Sequence, residues 1–264
     1  MSDTITTAPA PPDIVLGFYG KVPTHGDFVG KGLPRSFRDP WDTWVQEVIN
    51  ASRQQMGQAW IDHFLTCPLY RFALSAGIAG EQAWLGVIIP CVDQVGRYYP
   101  MTLCRSLDAC PNLLDAMPRF TPWYEEAETL VMSCLKDDFS LEQFEQQVAT
   151  MAQQLNAAVV TDEDEPTSLQ RMIQKYPGAA WRMGLGSLND MNSLFPGLLN
   201  LLIQDFCVAY SLWWTQGSED GSPSFLLAKG LPPFAGAAAM LDGNWQQWGW
   251  VGQQTLVCPS TPRG

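Results

Sequence analysis

The chain has 264 residues, 46% of them apolar and only 16% charged, and its 15 Lys and Arg against 27 Asp and Glu give a formal net charge of −12. So little charge, together with 11 Trp, points to a large packed interior and excludes disorder over most of the length. With a pI near 4.4 the chain shows no basic stripe to displace counterions from nucleic acid, and an anionic membrane surface would repel it.

Residues 1–13 are rich in Thr, Ala and Pro and are expected to form a disordered tail. That leaves 14–264 as a single domain, which admits a C-terminal lobe from about residue 178. The apolar run 14–19 predicts a buried strand ending at Gly20, and residues 21–38, mixing Gly, Pro and charge, a long irregular loop. Asp39 reads as an N-cap with Pro40 at N1 of a helix. On that helix Trp41, Trp44, Val45, Val48 and Ile49 share one face. A second helical segment at 60–65 stops before Pro68.

Strands are expected at 69–76, 83–89 and 99–107; the middle one (AWLGVII) lacks polar alternation, as a central strand covered on both faces does. Thr121-Pro122 opens a helix carrying Trp123, Ala127, Leu130, Val131, Cys134 and Leu135. Ser140 and Gln143 make a capping box for the next, with Leu141, Phe144, Val148, Met151 and Leu155 inward. The acidic run 162–165 reads as a solvated loop. A buried helix at 194–206 follows, then strands at 210–214 and 224–228 and a short helix at 233–241 stopped at Gly243. Strands bracketed by helices without strict alternation predict the α/β class, as a three-layer α/β/α sandwich with a mixed central sheet.

The seven Cys (Cys67, Cys91, Cys104, Cys110, Cys134, Cys207 and Cys258) are odd in number and never spaced Cys-x-x-Cys, which fits free thiols in a reducing compartment. Neither they nor His25 and His63 form a clustered ligand set, so no metal is expected. No basic-then-apolar leader opens the chain and no run of about 18 apolar residues occurs. A cytoplasmic protein without membrane insertion is the expectation.

Motifs of chemistry are thin. Gly20-Lys21 lacks the earlier glycine and the following hydroxyl of a P-loop, Val15 and Val22 standing in those places. Gly184-Leu185-Gly186 is an incomplete dinucleotide fingerprint, with Asn189 where the third glycine belongs, and no Gly-x-Ser-x-Gly elbow occurs. Two loops hold the remaining candidates. In the first, His25 stands two residues before Asp27, a pair with the chemistry for general acid–base work, although a carboxylate that shapes the loop is the simpler role. In the second, VDQVGRYYP (92–100), Asp93 and Arg97 flank Gly96, placed to pair with each other or to meet a charged group on a partner.

These loops also belong to an ordered set of motifs. GFYGKVPTHGDF (17–28), PWDTW (40–44), PLYRF (68–72), WLGVIIPCVDQVGRYYPMT (84–102), SLWW (211–214) and GLPPF (230–234) together resemble the TagF (ImpM-type) family of type VI secretion proteins over roughly 14–241. Cys91 departs from the small hydroxyl residue expected there, and His25 occupies a variable position. The resemblance implies a three-layer α/β/α fold, no catalytic activity and no cofactor. It further implies a post-translational regulatory role, usually restraint of secretion-system assembly, and contact with the forkhead-associated scaffold protein of the same system. Some relatives are fused to a protein-phosphatase domain, of whose Asp-rich metal motifs this sequence has none. On this reading Lys21, His25, Asp27, Phe28, Asp93 and Arg97 form a partner-binding surface. Two rivals stay open. One is a small-ligand-binding or hydrolytic protein using His25, Asp27, Asp93 and Arg97, which requires those side chains to converge on one concave pocket. The other is a purely structural subunit with a large exposed apolar patch.

Overall fold

A computed structural model of the chain describes residues 14–107, 112–157, 191–217 and 222–250. The expectations for residues 1–13, for the acidic run 162–165, for Gly184 to Gly186 and for a lobe boundary near 178 lie outside them. Seven strands form one sheet: β1 (Leu16–Gly20), β2 (Val29–Lys31), β3 (Tyr70–Leu74), β4 (Ala83–Ile89), β5 (Met101–Leu107), β6 (Tyr210–Thr215) and β7 (Ser224–Lys229). Their order is β2-β1-β5-β4-β3-β6-β7, and every neighbouring pair is antiparallel. The class is α/β as expected, but the mixed sheet is corrected to an antiparallel one. An apolar run buried on both faces reads the same whichever way its neighbours point. Direction is settled by the hairpin connections β1–β2, β3–β4, β4–β5 and β6–β7, which are too short for parallel crossovers.

Seven helices accompany the sheet among the described residues: α1 (Arg35–Met56), α2 (Trp60–Leu65), α3 (Leu113–Arg119), α4 (Thr121–Met132), α5 (Leu141–Ala157), α6 (Met191–Phe206) and α7 (Ala238–Asp242). Side chains alternate across β4. Leu85, Val87 and Ile89 join a core cluster with Tyr124 and Val131 of α4 and Phe144 and Val148 of α5. Trp84 joins a second cluster with Phe37, Trp41 and Val45 of α1, Trp60 and Phe64 of α2, and Phe72 and Trp213 of the sheet. Successive residues of a strand point to opposite faces, so the central strands are covered on both.

The second cluster is built of stacked aromatics. Trp41 lies with ring centroids 5.4 Å from Phe37, 4.7 Å from Phe72 and 6.0 Å from Trp213. The fully buried indoles of this cluster each find an acceptor: Trp41 donates to Thr102 Oγ1 at 3.1 Å, Trp60 to Ser52 Oγ at 2.8 Å, Trp84 to the Ala79 carbonyl at 3.1 Å and Trp213 to Ser211 Oγ at 2.9 Å.

Two helical expectations are revised. α1 opens at Arg35, before the expected Asp39 cap, and carries Pro40 inside it. Pro34 serves as N-cap, its carbonyl accepting from the amides of Phe37 and Arg38. The extra turn seats Phe37 against Trp84 at 4.6 Å, which offsets the backbone hydrogen bond that Pro40 cannot donate. α6 is not the buried helix expected: Phe195, Leu199, Leu202 and Phe206 are exposed, while Asn200 is buried and accepts from the Tyr210 hydroxyl at 2.9 Å. Apolar content told that α6 packs, and its other side is left open.

Candidate functional site

The register sets the site. β1 ends, β4 ends and β5 begins at the same end of the sheet, with Tyr19 opposite Thr102 and Ile89 opposite Met101. The β1–β2 and β4–β5 loops therefore leave side by side. Gly20, with φ of 157°, permits their approach, since a Cβ there would fall 2.3 Å from the Pro100 carbonyl oxygen.

From Gly20 the chain delivers Lys21 into the interior, where its Nζ meets Asp93 Oδ2 at 2.5 Å. The two side chains are only 5% and 0% exposed. Asp93 accepts three further hydrogen bonds. The amides of Val95 and Arg97 donate to Oδ1 at 3.0 and 2.8 Å, and Arg97 Nε donates to Oδ2 at 2.7 Å. Burial alone would push the Asp93 carboxyl up. The donors, Lys21 first and then the Arg97 amide, the Arg97 side chain and the Val95 amide, outweigh it and hold the group well below the usual carboxylate range.

Further ties cross between the loops. The Gln94 amide donates to the His25 carbonyl at 3.1 Å, Arg97 Nη2 donates to the Gly26 carbonyl, and Arg97 approaches Asp27 at 3.8 Å. Phe28 closes the junction: its ring stacks on Tyr19 at 5.3 Å, meets Tyr99 edge-on at 4.8 Å and receives Lys21 Nζ 4.7 Å from its centroid. The Tyr99 and Tyr19 hydroxyls donate to Asp42 Oδ1 of α1 at 2.8 and 3.4 Å. Burial, and then the Asp42 charge, push the Tyr19 phenol up to about 12.

All six sequence-derived site residues thus gather at one end of the sheet, in two tiers. Lys21 and Asp93 are sealed inside, whereas His25, Asp27, Phe28 and Arg97 are exposed. His25 Nδ1 lies 2.9 Å from Thr24 Oγ1, and the chain joins the second loop through its carbonyl rather than its ring. Of two hollows, one lies between α1, α2 and α7 and borders none of the four side chains of the enzymatic reading, and the other borders Arg97 but not His25, Asp27 or Asp93, so the four converge on neither. Sequence reasoning missed Asp42, Tyr19 and Tyr99. An acidic residue in the first turn of the expected helix is explained by the helix dipole alone, and the only signal for the further role of Asp42 was its place in PWDTW beside the aromatic-rich GFYG and RYYP.

Elsewhere the polar chemistry is muted. Cys67, Cys91, Cys104, Cys134 and Cys207 are free thiols, and burial pushes Cys67 up to about 12 and Cys91 up to about 11, far from the thiolate a nucleophile needs. Among the described residues no group of three or more His, Cys, Asp and Glu is placed to hold a metal ion, and no helix is long and apolar enough to cross a membrane.

The site is thus defined by an antiparallel sheet clad by helices, with two hairpin loops locked by a buried ion pair. The chain belongs to the TagF family: residues 17–151 match the TagF N-terminal domain, described as type VI secretion system-associated, and this span contains both loops. It is also similar to the crystal structure of PA0076 from Pseudomonas aeruginosa PAO1, with 30% sequence identity, a TM-score of 0.68, and coverage of 94% of this chain and all of that one. No curated protein matches.

Proposed function

We propose that this type VI secretion-associated protein is a non-enzymatic, cytoplasmic accessory factor that regulates assembly of the apparatus after translation, in the direction of restraint. It acts through protein contacts, and its partner is the forkhead-associated scaffold protein of the same system. The contact surface is the outer tier of the joined loops, where Asp27, Phe28, His25 and Arg97 present charge and an aromatic ring. Lys21 and Asp93 shape that surface from beneath. The observation that carries the reading is the saturation of Asp93. A carboxylate holding four donors is committed to rigidity and offers little for proton transfer. The two core clusters on opposite sheet faces favour a three-layer α/β/α arrangement for the whole.

The test is capture of the scaffold by tagged Asp27→Lys and Phe28→Ala variants from cells that contain the apparatus, with melting temperature measured in parallel. Asp27 is fully exposed, so Asp27→Lys should stay within about 3 °C of the parent. Phe28→Ala, which loses ring contacts with Tyr19 and Tyr99, should melt a few degrees lower but remain folded, and capture should fall for both. Undiminished capture by both variants refutes the loop surface as the contact. Capture that falls only as the fold melts assigns these residues a structural role instead.

A further inference from the structure

We propose that a second hollow, between the C-terminal end of α1, α2 and the tip of the β4–β5 loop, docks a short acidic segment of a partner protein. The inference rests on the reading that this chain works through protein contacts, and it adds a place and a chemistry to it. The cavity measures about 520 Å³. Ile49 and Arg53 of α1 form one wall, Trp60 and Ile61 of α2 another, and Arg97 and Tyr98 of the loop the third.

Charge selects the occupant. The chain carries a net charge of −12, yet the two charged residues that border this hollow are both arginines. Arg53 has no carboxylate partner among the ion pairs of the described residues. Its guanidinium lies 4.2 Å above the Trp60 ring and 5.7 Å from that of Tyr98. A cation–π contact with an aromatic face uses none of a guanidinium's N–H donors, and these form the fork that grips a carboxylate with two parallel hydrogen bonds. Arg97, its side chain 56% exposed, brings a second guanidinium from the β4–β5 loop, held in place by Asp93 and with Asp27 3.8 Å away. In the same hollow Ile61, 44% exposed, offers an apolar contact for an aliphatic side chain.

The site is also stiff before any ligand arrives. Trp60 is fixed by its indole bond to Ser52, Arg97 by Asp93, and the α1–α2 corner by Gly57 in a positive-φ turn at 58°. Preorganised donors lose little freedom on binding, which is where a small interface gains affinity. Two cations in an acidic molecule are too few to follow a nucleic-acid backbone, whereas they match two carboxylates on a peptide that carries an aliphatic residue between them.

The experiment titrates the full-length, ¹⁵N-labelled protein with an acetylated, amidated Glu-Asp-Leu-Asp-Glu peptide and follows the Trp60 indole and the Arg53 and Arg97 Nε signals. Saturable shifts confined to these groups are expected. The isosteric Gln-Asn-Leu-Asn-Gln peptide should bind roughly tenfold more weakly, and so should the acidic peptide to Arg53→Glu. The melting temperature of Arg53→Glu should fall by only a few degrees, because no ion pair is broken and what is lost is the contact with the Trp60 ring. Absence of a saturable shift at Trp60 overturns the proposal, as does equal binding of the neutral peptide or unimpaired binding by Arg53→Glu. Phe28 packs on Tyr19, Tyr99 and Lys21, none of which borders the hollow, so Phe28→Ala should keep peptide binding. Peptide failure therefore counts against the hollow alone, and undiminished scaffold capture by Asp27→Lys and Phe28→Ala counts against the loop surface alone.

Discussion

The aromatic face beneath α1 and the loop junction at the end of β1 come within reach of each other through Asp42 and Tyr99, yet opposite kinds of force hold them. Under α1, Trp41, Phe37, Phe72 and Trp213 share one large apolar contact, in which each ring adds area and none is indispensable to the others. At the junction a single carboxylate gathers Lys21, Arg97 and two amides, so losing one donor strands charge already removed from water. Area is divisible and a buried charge is not. The aromatic face should therefore lose stability in proportion to what is cut away, and the junction should fail as a unit.

The largest expected effect breaks the first region. Trp41 is 1% exposed, so Trp41→Ala should cost about 3–5 kcal/mol, a fall of roughly 6–20 °C in melting temperature. Trp44, the next residue on the same stripe, is only partly buried, and its indole N–H reaches the Pro232 carbonyl at 2.9 Å. Trp44→Ala should cost about half as much. Equal losses from the two variants would show that the stripe is buried evenly and that the proportionality fails.

The next effect tests the junction. Lys21→Met leaves Asp93 with Arg97 as its one remaining cation, and the melting temperature should fall by roughly 5–10 °C at neutral pH. The pH dependence carries a sign. Asp93 has a folded pKa below its unfolded value near 3.8, so between the two the unfolded chain binds the proton and the folded one does not. The junction's contribution is whole above about pH 4 and is lost as pH falls further. Acid unfolding followed by fluorescence should show the parent losing stability steeply there. Lys21→Met, with a weaker depression, should lose it more gently, and parallel profiles would remove Lys21 as the source of the depression.

The same division explains what could be read from the amino acids. β4 was legible to the residue because seven apolar positions without alternation suit only an element covered on both sides. The meeting of the two loops was legible through their spelling and their places at strand ends. Strand direction was missed because one strand's composition carries no mark of it, although the short connections between the expected strands at 69–76, 83–89 and 99–107 favour antiparallel neighbours. The start of α1 was not legible, for there Phe37 gains enough from Trp84 to carry the helix past a proline. The split of the six site residues into a sealed tier and an open one was hidden too. A Lys and an Asp that sit 72 positions apart carry no local sign of being buried together.

The smallest effect sharpens the comparison most, because it separates charge from shape inside the junction. Arg97→Lys keeps a cation near Asp93 and Asp27 but removes the planar fork that reaches Asp93 with Nε and the Gly26 carbonyl with Nη2. The Arg97 side chain is 56% exposed, so solvent screens its charge and the loss is of hydrogen bonds rather than of a buried ion pair. About 1 kcal/mol is expected, a drop of roughly 2–4 °C. The amides of Val95 and Arg97 still hold Asp93 Oδ1 in that variant, so the core of the junction should stay closed. What should open is the seam above it, where the β1–β2 loop depends on Arg97 and on the Gln94 amide. Hydrogen exchange is the measurement that resolves this: faster exchange at Gln94 and at the amides of 24–28, with β4 and β5 unchanged, is the local signature. Uniform acceleration across the sheet would mean that Arg97 belongs to the indivisible part, and that the boundary between the two tiers lies one shell further out.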